Sequence, residues 1–314
     1  MISFNDIKPE QQNTAIALGF FDGVHRGHRN VLEPVAAQRD EGLTPVCLTF
    51  SRSPREVLSG IPVPLLMTRG DKDRALEEIG IDHVYYSDFR HLMNMSAEHF
   101  VKYVLCEMLR AKKLYCGFNY RFGKDGRGDA QLLKELCAQL DIELSVAPPT
   151  MLDGELVSST AIRNYIFAGE IVRANRMLRS EFGFCAPVEH GRRLGRELGT
   201  PTLNQKMLSS LVTPRFGVYI SRVTLESGET FCGVTNIGIK PTVGSDAPLW
   251  ETWMPEYTGG EIYGELADIR LLEFIRPEKK FDSIKELKEE IFSNGSYAAE
   301  RFGELSKNKP AFPY

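Results

Sequence analysis

The sequence is short of several things, and each shortage removes a class of protein. Six cysteines, at positions 47, 106, 116, 137, 185 and 232 of 314, show no paired spacing, and several lie in apolar runs where cysteine behaves as a small hydrophobe. That excludes a disulfide framework and makes a reducing cytoplasm the expected setting. No apolar stretch reaches the roughly 18 residues needed to span a bilayer. The opening Met-Ile-Ser-Phe-Asn-Asp-Ile-Lys-Pro-Glu has no basic segment followed by an apolar one, so a soluble chain is expected. Positive charge is not in excess either: 38 Lys and Arg against 42 Asp and Glu leave a formal net charge of −4. Nucleic acid or an anionic membrane would need a local basic patch. No basic patch of convincing size is present, and the cluster Arg192-Arg193-Leu-Gly-Arg196 is short and glycine-flanked and reads as a small phosphate contact. Neither nucleic acid nor membrane is therefore expected as a partner. A P-loop and a dinucleotide fingerprint are also missing.

What is present is enough chain for two domains, each with a sizeable core. From Thr14 to about Val146, strand-like and helical runs alternate. Thr14-Ala-Ile-Ala-Leu18, Pro45-Val-Cys-Leu-Thr-Phe50, Asp82-His-Val-Tyr-Tyr86 and Lys113-Leu-Tyr-Cys116 read as strands. The stretch after Gly27 and the runs 75–79, 98–109 and 130–140 read as helices. This alternation predicts an α/β fold, a Rossmann-like parallel sheet with helices on both faces and ligands at the carboxyl ends of its strands. After Glu181 the pattern changes to glycine-punctuated runs at 217–224, 230–235 and 267–275, the first two joined by the turn Glu226-Ser-Gly-Glu229. A small β-barrel closed by an amphipathic helix from Ser283 to about Phe292 is expected there. The boundary falls near residue 180, giving domains of 1–180 and 181–314.

The densest chemistry lies in Gly19-Phe-Phe-Asp-Gly-Val-His-Arg-Gly-His28, three glycines and two histidines in the turn after the first strand. Glycine lets the backbone approach an anion closely. A helix starting near Gly27 aims unpaired N–H groups and the positive end of its dipole at such an anion, and His25 and His28 add donors from the same side. A purely structural turn with exposed histidines is one competing reading, and a zinc set of Asp22, His25 and His28 is another, with no cysteine or further histidine close by in sequence to complete it. Pro34 falls inside the expected helix, where it should bend or restart it. Further on, Ser159-Thr160 before Ala-Ile-Arg-Asn-Tyr-Ile166 has the form of a capped helix start with Arg163 in its first turn.

Taken in order, these segments resemble one family, the bacterial bifunctional riboflavin kinase/FAD synthetases. The turn at 19–28 is similar to the His-x-Gly-His signature of adenylyl-transferring nucleotidyltransferases. Gly117-Phe-Asn-Tyr-Arg-Phe-Gly123 followed by Asp129, and Val157-Ser-Ser-Thr-Ala-Ile-Arg163, resemble later segments of that half. Gly195-Arg-Glu-Leu-Gly-Thr-Pro-Thr-Leu-Asn204, Gly217-Val-Tyr219, Asn236-Ile-Gly-Ile-Lys-Pro-Thr242, Glu251, Tyr263-Gly264 and Arg276-Pro-Glu-Lys-Lys-Phe281 resemble the kinase half.

The resemblance implies that riboflavin is phosphorylated to FMN by ATP, and that FMN is adenylylated to FAD by a second ATP with release of pyrophosphate. For adenylyl transfer it implies that His25 and His28 donate to the triphosphate and that Gly19, Phe20, Asp22, Gly23, Gly27, Ser159 and Thr160 surround it. Arg163 then stabilises the departing pyrophosphate, while Asn119 and Asp129 hold the flavin side or a metal. For phosphorylation it implies Glu251 as the base, Thr202 and Asn204 as Mg²⁺ ligands, Gly191, Arg196 and Gly199 around the nucleotide, and Arg276 on the flavin. Two departures stand out. Thr49-Phe-Ser-Arg-Ser-Pro54 lacks the acid and histidine of the family's Thr-Phe-Asp-Pro-His-Pro, leaving Arg52 or Arg55 as substitute phosphate contacts. Trp250-Glu-Thr-Trp253 has a tryptophan where a histidine is common, and either tryptophan is suited to stacking on flavin or to packing the barrel. A kinase with a weak adenylyltransferase half, and a flavin-sensing regulator, are the alternatives.

Overall fold

The computed structural model describes residues 10–190, 199–239 and 248–307. The chain divides into two compact units. One runs to Val63 and resumes at Arg69–Ser158; the other holds Pro64–Thr68 and the residues from Ser159 onward.

In the first unit five parallel strands, β1 (Thr14–Leu18), β2 (Thr44–Phe50), β3 (His83–Ser87), β4 (Ala111–Gly117) and β5 (Glu143–Ala147), take the order β3-β2-β1-β4-β5. All five residues of β1 are buried, because it is paired on both edges and covered on both faces; hence its unbroken apolar run rather than an alternation. The chain winds outward from β1 to β2 and β3, then crosses to β4 on the other side. The strand order therefore reverses at β1, and a crevice opens between the carboxyl ends of β1 and β4, where open α/β sheets bind ligands.

Helix α1 (Arg26–Ala36) follows β1; α2 (Pro54–Ser59), α3 (Arg69–Ile79), α4 (Phe89–Leu92), α5 (Ala97–His99) and α6 (Ala130–Gln139) come after it. Pro34 neither breaks nor restarts α1. Val31, Leu32 and Val35 are buried on one face and hold the α-helix to Ala36, after which it tightens into a 3₁₀ turn, Ala37–Glu41, ending on Gly42 in the left-handed region. The run expected to be one α-helix at 98–109 also changes character. After α5 it winds as a π-helix over Phe100–Met108, with the Leu109 amide donating to the Val104 carbonyl at 3.0 Å. Val101, Val104 and Leu105 pack there against Ile16, Leu18 and Leu114. A short hairpin, β6 (Met151–Leu152) and β7 (Glu155–Leu156), ends the unit.

The second unit begins with α7 (Ser159–Ala168) and α8 (Ile171–Leu178). Asn175 ties α8 to the sheet beside it, donating to the Leu271 carbonyl and accepting from the Phe182 amide. Six antiparallel strands follow: β8 (Phe182–Pro187), β9 (Thr202–Lys206), β10 (Gly217–Leu225), β11 (Thr230–Gly238), β12 (Leu249–Trp253) and β13 (Leu266–Arg276), in the order β8-β13-β10-β11-β12-β9. The two edges, β8 and β9, curl toward each other. The Glu189 amide donates to the Asn204 carbonyl at 2.7 Å, and the buried Gln205 side chain donates to the carbonyls of Ala186 and Ala267. Edge groups that would otherwise invite another strand are thus satisfied inside the chain.

The two faces of this partly closed barrel are distinct. Trp250, Tyr219 and Phe184 fill the inside, together with a row of hydroxyls running from Ser221 through Thr235 to Thr252. The outer face carries Val218, Ile220, Val234 and Trp253 beneath α9 (Ile284–Lys307). That helix runs fifteen residues past the expected end at Phe292. Ser293-Asn-Gly-Ser296 interrupts the apolar pattern, but Gly295 lies against the Trp253 ring, where a Cβ would come within 2.5 Å of Cζ3, and the next turn buries Ala298 completely. Tertiary packing overrides the weak local signal. Both tryptophans pack: Trp250 meets Phe184 edge-on inside the barrel, and Trp253 meets Phe292 of α9.

Candidate functional site

The turn after β1 is built around strained backbone. Phe21 (φ 54°), Gly23 (φ 85°) and Val24 (φ 38°) all lie in the left-handed region, which is uncommon for a bulky residue and unfavourable for a β-branched one. Buried side chains hold them there: Phe21 and Val24 are each 2% exposed. Gly19 has no room for a side chain, since a Cβ would meet the Phe21 ring at 2.8 Å. The turn delivers the chain into α1 with His25 as N-cap, its Nδ1 accepting from the His28 amide at 3.3 Å. Accepting requires a lone pair on Nδ1, so the proton of the neutral His25 ring sits on Nε2. The two imidazoles stack at 3.5 Å between centroids, with Gly27 tight against the His25 ring and the Phe21 edge against His28. His25, His28 and the first amides of α1 are thereby gathered at the carboxyl end of β1. Among the described residues no three His, Cys, Asp or Glu side chains are arranged to hold a metal ion, so Asp22, His25 and His28 do not form the zinc set that the sequence left open.

Asn119 lies just beyond the end of β4, the strand that flanks β1 on this edge, and is exposed. Asp129 is the N-cap of α6: its Oδ1 accepts from the amides of Gln131 and Leu132, its Oδ2 lies 3.6 Å from Arg121, and the Leu132 amide is the main cause holding its carboxyl below the ordinary range. Arg52 is paired with Glu56 one turn along α2, and Arg55 is exposed.

Sequence reasoning missed Lys72. It sits on α3 in the charged run Arg69-Gly-Asp-Lys-Asp-Arg74, which reads as a solvated helix face, yet it is 6% exposed. Its ammonium donates to the Phe20 carbonyl at 2.5 Å and to Thr49 Oγ1 at 2.8 Å. Burial lowers its pKa to about 8.

Ser159, Thr160 and Arg163 lie on α7, in the second unit. The Arg163 Nε donates to the Pro64 carbonyl at 2.6 Å. On the barrel, register brings together what the sequence scatters. Asn204 on β9 pairs with Glu251 on β12, and Glu251 pairs with Asn236 on β11. These three, with Thr202 two residues before Asn204, share the outer face beside the apolar patch under α9. Asn204 Oδ1 is buried with no hydrogen-bond partner among the described residues, an arrangement that ordinarily costs stability. Asn236 belongs to a recognised segment, but only register reveals its place beside Glu251. Arg276, at the end of β13, is ion-paired with Glu290 of α9 at 2.8 Å. Gly199 precedes β9 in the left-handed region. Gly191 and Arg196 lie outside the described residues.

One chain thus carries a glycine-histidine turn on a parallel sheet and a carboxylate-amide row on an antiparallel barrel. The FAD synthetase family model matches residues 7–161, and the riboflavin kinase model matches 178–302. Bifunctional riboflavin kinase/FMN adenylyltransferases are similar along nearly their whole length. That of Haemophilus influenzae is 34% identical, over 89% of this chain and 91% of its own. That of Bacillus subtilis is 32% identical, over 96% of both. A solved structure from Streptococcus pneumoniae, described as a macrolide-efflux protein, matches with a TM-score of 0.85 at 27% identity, over 95% of this chain and 99% of that one. No described helix here is long and apolar enough to cross a membrane. The chain belongs to the bifunctional riboflavin kinase/FMN adenylyltransferase family.

Proposed function

We propose that the two activities of the family run at the two sites described above: FMN adenylyltransferase at the turn between β1 and α1, and riboflavin kinase on the outer face of the barrel. The observation that carries this reading is that the strained turn lies on one compact unit and the Asn204–Glu251–Asn236 row on the other.

In adenylyl transfer a phosphate oxygen of FMN attacks the α-phosphorus of ATP and pyrophosphate leaves. No covalent nucleophile is needed, and catalysis consists of positioning and of stabilising charge on the phosphate oxygens. The amides of Phe20, Asp22, Gly23 and Gly27 and the imidazoles of His25 and His28 supply donors, with Nε2–H of His25 set by its capping bond; the Gly19 amide is engaged by the Leu48 carbonyl, and Gly19 serves by letting the backbone pass close to the triphosphate. Asn119 and Asp129 serve the flavin side. The roles of Ser159, Thr160 and Arg163 at the triphosphate rest on the resemblance. In phosphorylation Glu251 orients the riboflavin 5′-hydroxyl and takes its proton as the oxygen attacks the γ-phosphorus and ADP leaves. The partnerless Oδ1 of Asn204 and the hydroxyl of Thr202 suit a hard cation with oxygen ligands; Mg²⁺ supplies charge neutralisation on the ATP phosphates when bound there. Gly191, Arg196 and Gly199 belong to the nucleotide loop, and Arg276 to the flavin end. The reading assigns 1–180 to adenylyl transfer and 181–314 to phosphorylation. Six cysteines, all unpaired, suit a cytoplasmic setting.

Kinase activity alone is the second reading, favoured by Arg52 being engaged with Glu56 where the family has an acid and a histidine. Incubating the protein with riboflavin, ATP and Mg²⁺ and separating the flavins over time tests both. FMN that rises and gives way to FAD supports the first reading. FMN that accumulates even when supplied directly supports the second, and no product at all removes both.

A further inference from the structure

Among the described residues Lys72 is a lysine whose ammonium is buried directly behind the phosphate turn. Its Nζ reaches the Phe20 carbonyl and Thr49 Oγ1, and the Thr49 hydroxyl itself donates to the Phe20 carbonyl at 3.0 Å. The three groups close a triangle. The ring of Phe20 lies 4.9 Å from Nζ and that of Tyr86 5.3 Å away. The triangle joins α3 and β2 to the residue immediately before the first left-handed position of the turn, Phe21. Strained backbone persists only where its surroundings over-determine it, and a charge-assisted hydrogen bond to a carbonyl is roughly twice as strong as a neutral one.

We propose that Lys72 is a positioning residue for adenylyl transfer: its ammonium clamps the Phe20 carbonyl and so holds the Gly19–His28 turn in the shape that presents amides and imidazoles to the triphosphate. The inference rests on the assignment of that turn to adenylyl transfer. Lys72 acts through the backbone and does not itself touch substrate.

The titratable and charged groups facing Lys72 are Asp22 from the turn, the Cys47 thiol from β2, and Asp73 and Arg69 from α3. Tyr86 on β3 completes the surroundings. Burial pushes the Cys47 thiol up to about 12 and the Tyr86 hydroxyl further up, so both stay protonated while Lys72 titrates near 8. The clamp is charged at pH 7 and loses its charge as pH rises through about 8.

The test compares the wild-type chain with Lys72→Met, measuring FAD formation from supplied FMN and riboflavin phosphorylation by the same protein. The expected result is a kcat for FAD formation at least tenfold lower, about 1.4 kcal/mol in barrier, with KM for FMN and the kinase rate little changed. Wild-type kcat should also fall with a midpoint near pH 8, and that alkaline limb should vanish in Lys72→Met. A variant within twofold of wild type, or one that keeps the limb, overturns the proposal. Should Lys72→Met fail to fold, Thr49→Val, which removes the hydroxyl corner of the triangle at nearly constant volume, replaces it: FAD formation within twofold of wild type would overturn the clamp. His28→Ala separates this from the underlying assignment, because FAD formation unaffected by that change removes the turn itself from the reaction.

Discussion

The two sites are made in opposite ways. The turn of the first unit is assembled from consecutive residues, 19 to 28, and its shape depends on backbone held in the left-handed region by buried neighbours. The barrel site is assembled from three strands in extended backbone, and its shape depends on register: Asn204, Glu251 and Asn236 are neighbours only because β9, β12 and β11 pair as they do. A turn of this kind is sensitive to what braces it from behind. A row on a sheet is sensitive to anything that slips the strands, since a one-residue slip would carry Glu251 to the inner face.

The sharpest division between the two regions is expected from Glu251→Gln. Loss of a general base should lower FMN formation by about 10²- to 10⁴-fold, while FAD formation from supplied FMN stays at the wild-type rate; chromatography of the flavins reads both. Comparable losses in both products would mean that the two sites are not separate. The mirror image is His28→Ala, expected to lower FAD formation by about 10²-fold, as loss of a donor to developing charge does elsewhere, with riboflavin phosphorylation unchanged.

Replacing His25 sharpens the contrast within the turn. Asparagine is a good N-cap and alanine is not, so His25→Ala should cost about 1 kcal/mol of stability and His25→Asn much less, as denaturant titration would show. Both should slow FAD formation, because both lose the imidazole Nε2–H. Equal activity of His25→Asn and wild type would reduce His25 to a cap.

On the barrel, Asn204→Ala should raise the Mg²⁺ concentration that half-saturates phosphorylation by about tenfold or more, given the few oxygen ligands a protein offers this ion. An unchanged Mg²⁺ dependence would remove Asn204 from the ligand set. A smaller and purely structural effect is expected from Gly295→Ala. The added methyl runs into the Trp253 ring, an overpacking that typically costs about 1 to 3 kcal/mol, visible as a lower melting temperature of the barrel.

Legibility in the sequence follows the same division. The alternation of runs from Thr14 to Val146 carries the parallel sheet, and the glycine-histidine turn announces itself because its residues are contiguous. Glu251 and Asn204 are not distinguishable from other polar strand residues without the family pattern, since 47 positions separate them and register is a tertiary property. Lys72 was illegible for a different reason: its neighbours Asp71, Asp73 and Arg74 make the helix look solvated, and only the fold shows that this lysine points into the sheet edge at Phe20. The extension of α9 beyond Phe292 depends on Trp253 receiving Gly295, again a contact between distant residues. The glycine there marks close approach rather than a helix end.

The central claim is that one chain carries two sites joined by a common intermediate, FMN. Mixing Glu251→Gln with His28→Ala in the presence of riboflavin, ATP and Mg²⁺ tests it most directly. Each variant alone should stop short of FAD from riboflavin, one for want of FMN and the other at FMN, while the mixture should form FAD as FMN made by the second variant is used by the first. A mixture that accumulates FMN and makes no FAD, or either variant completing the conversion alone, would contradict the account.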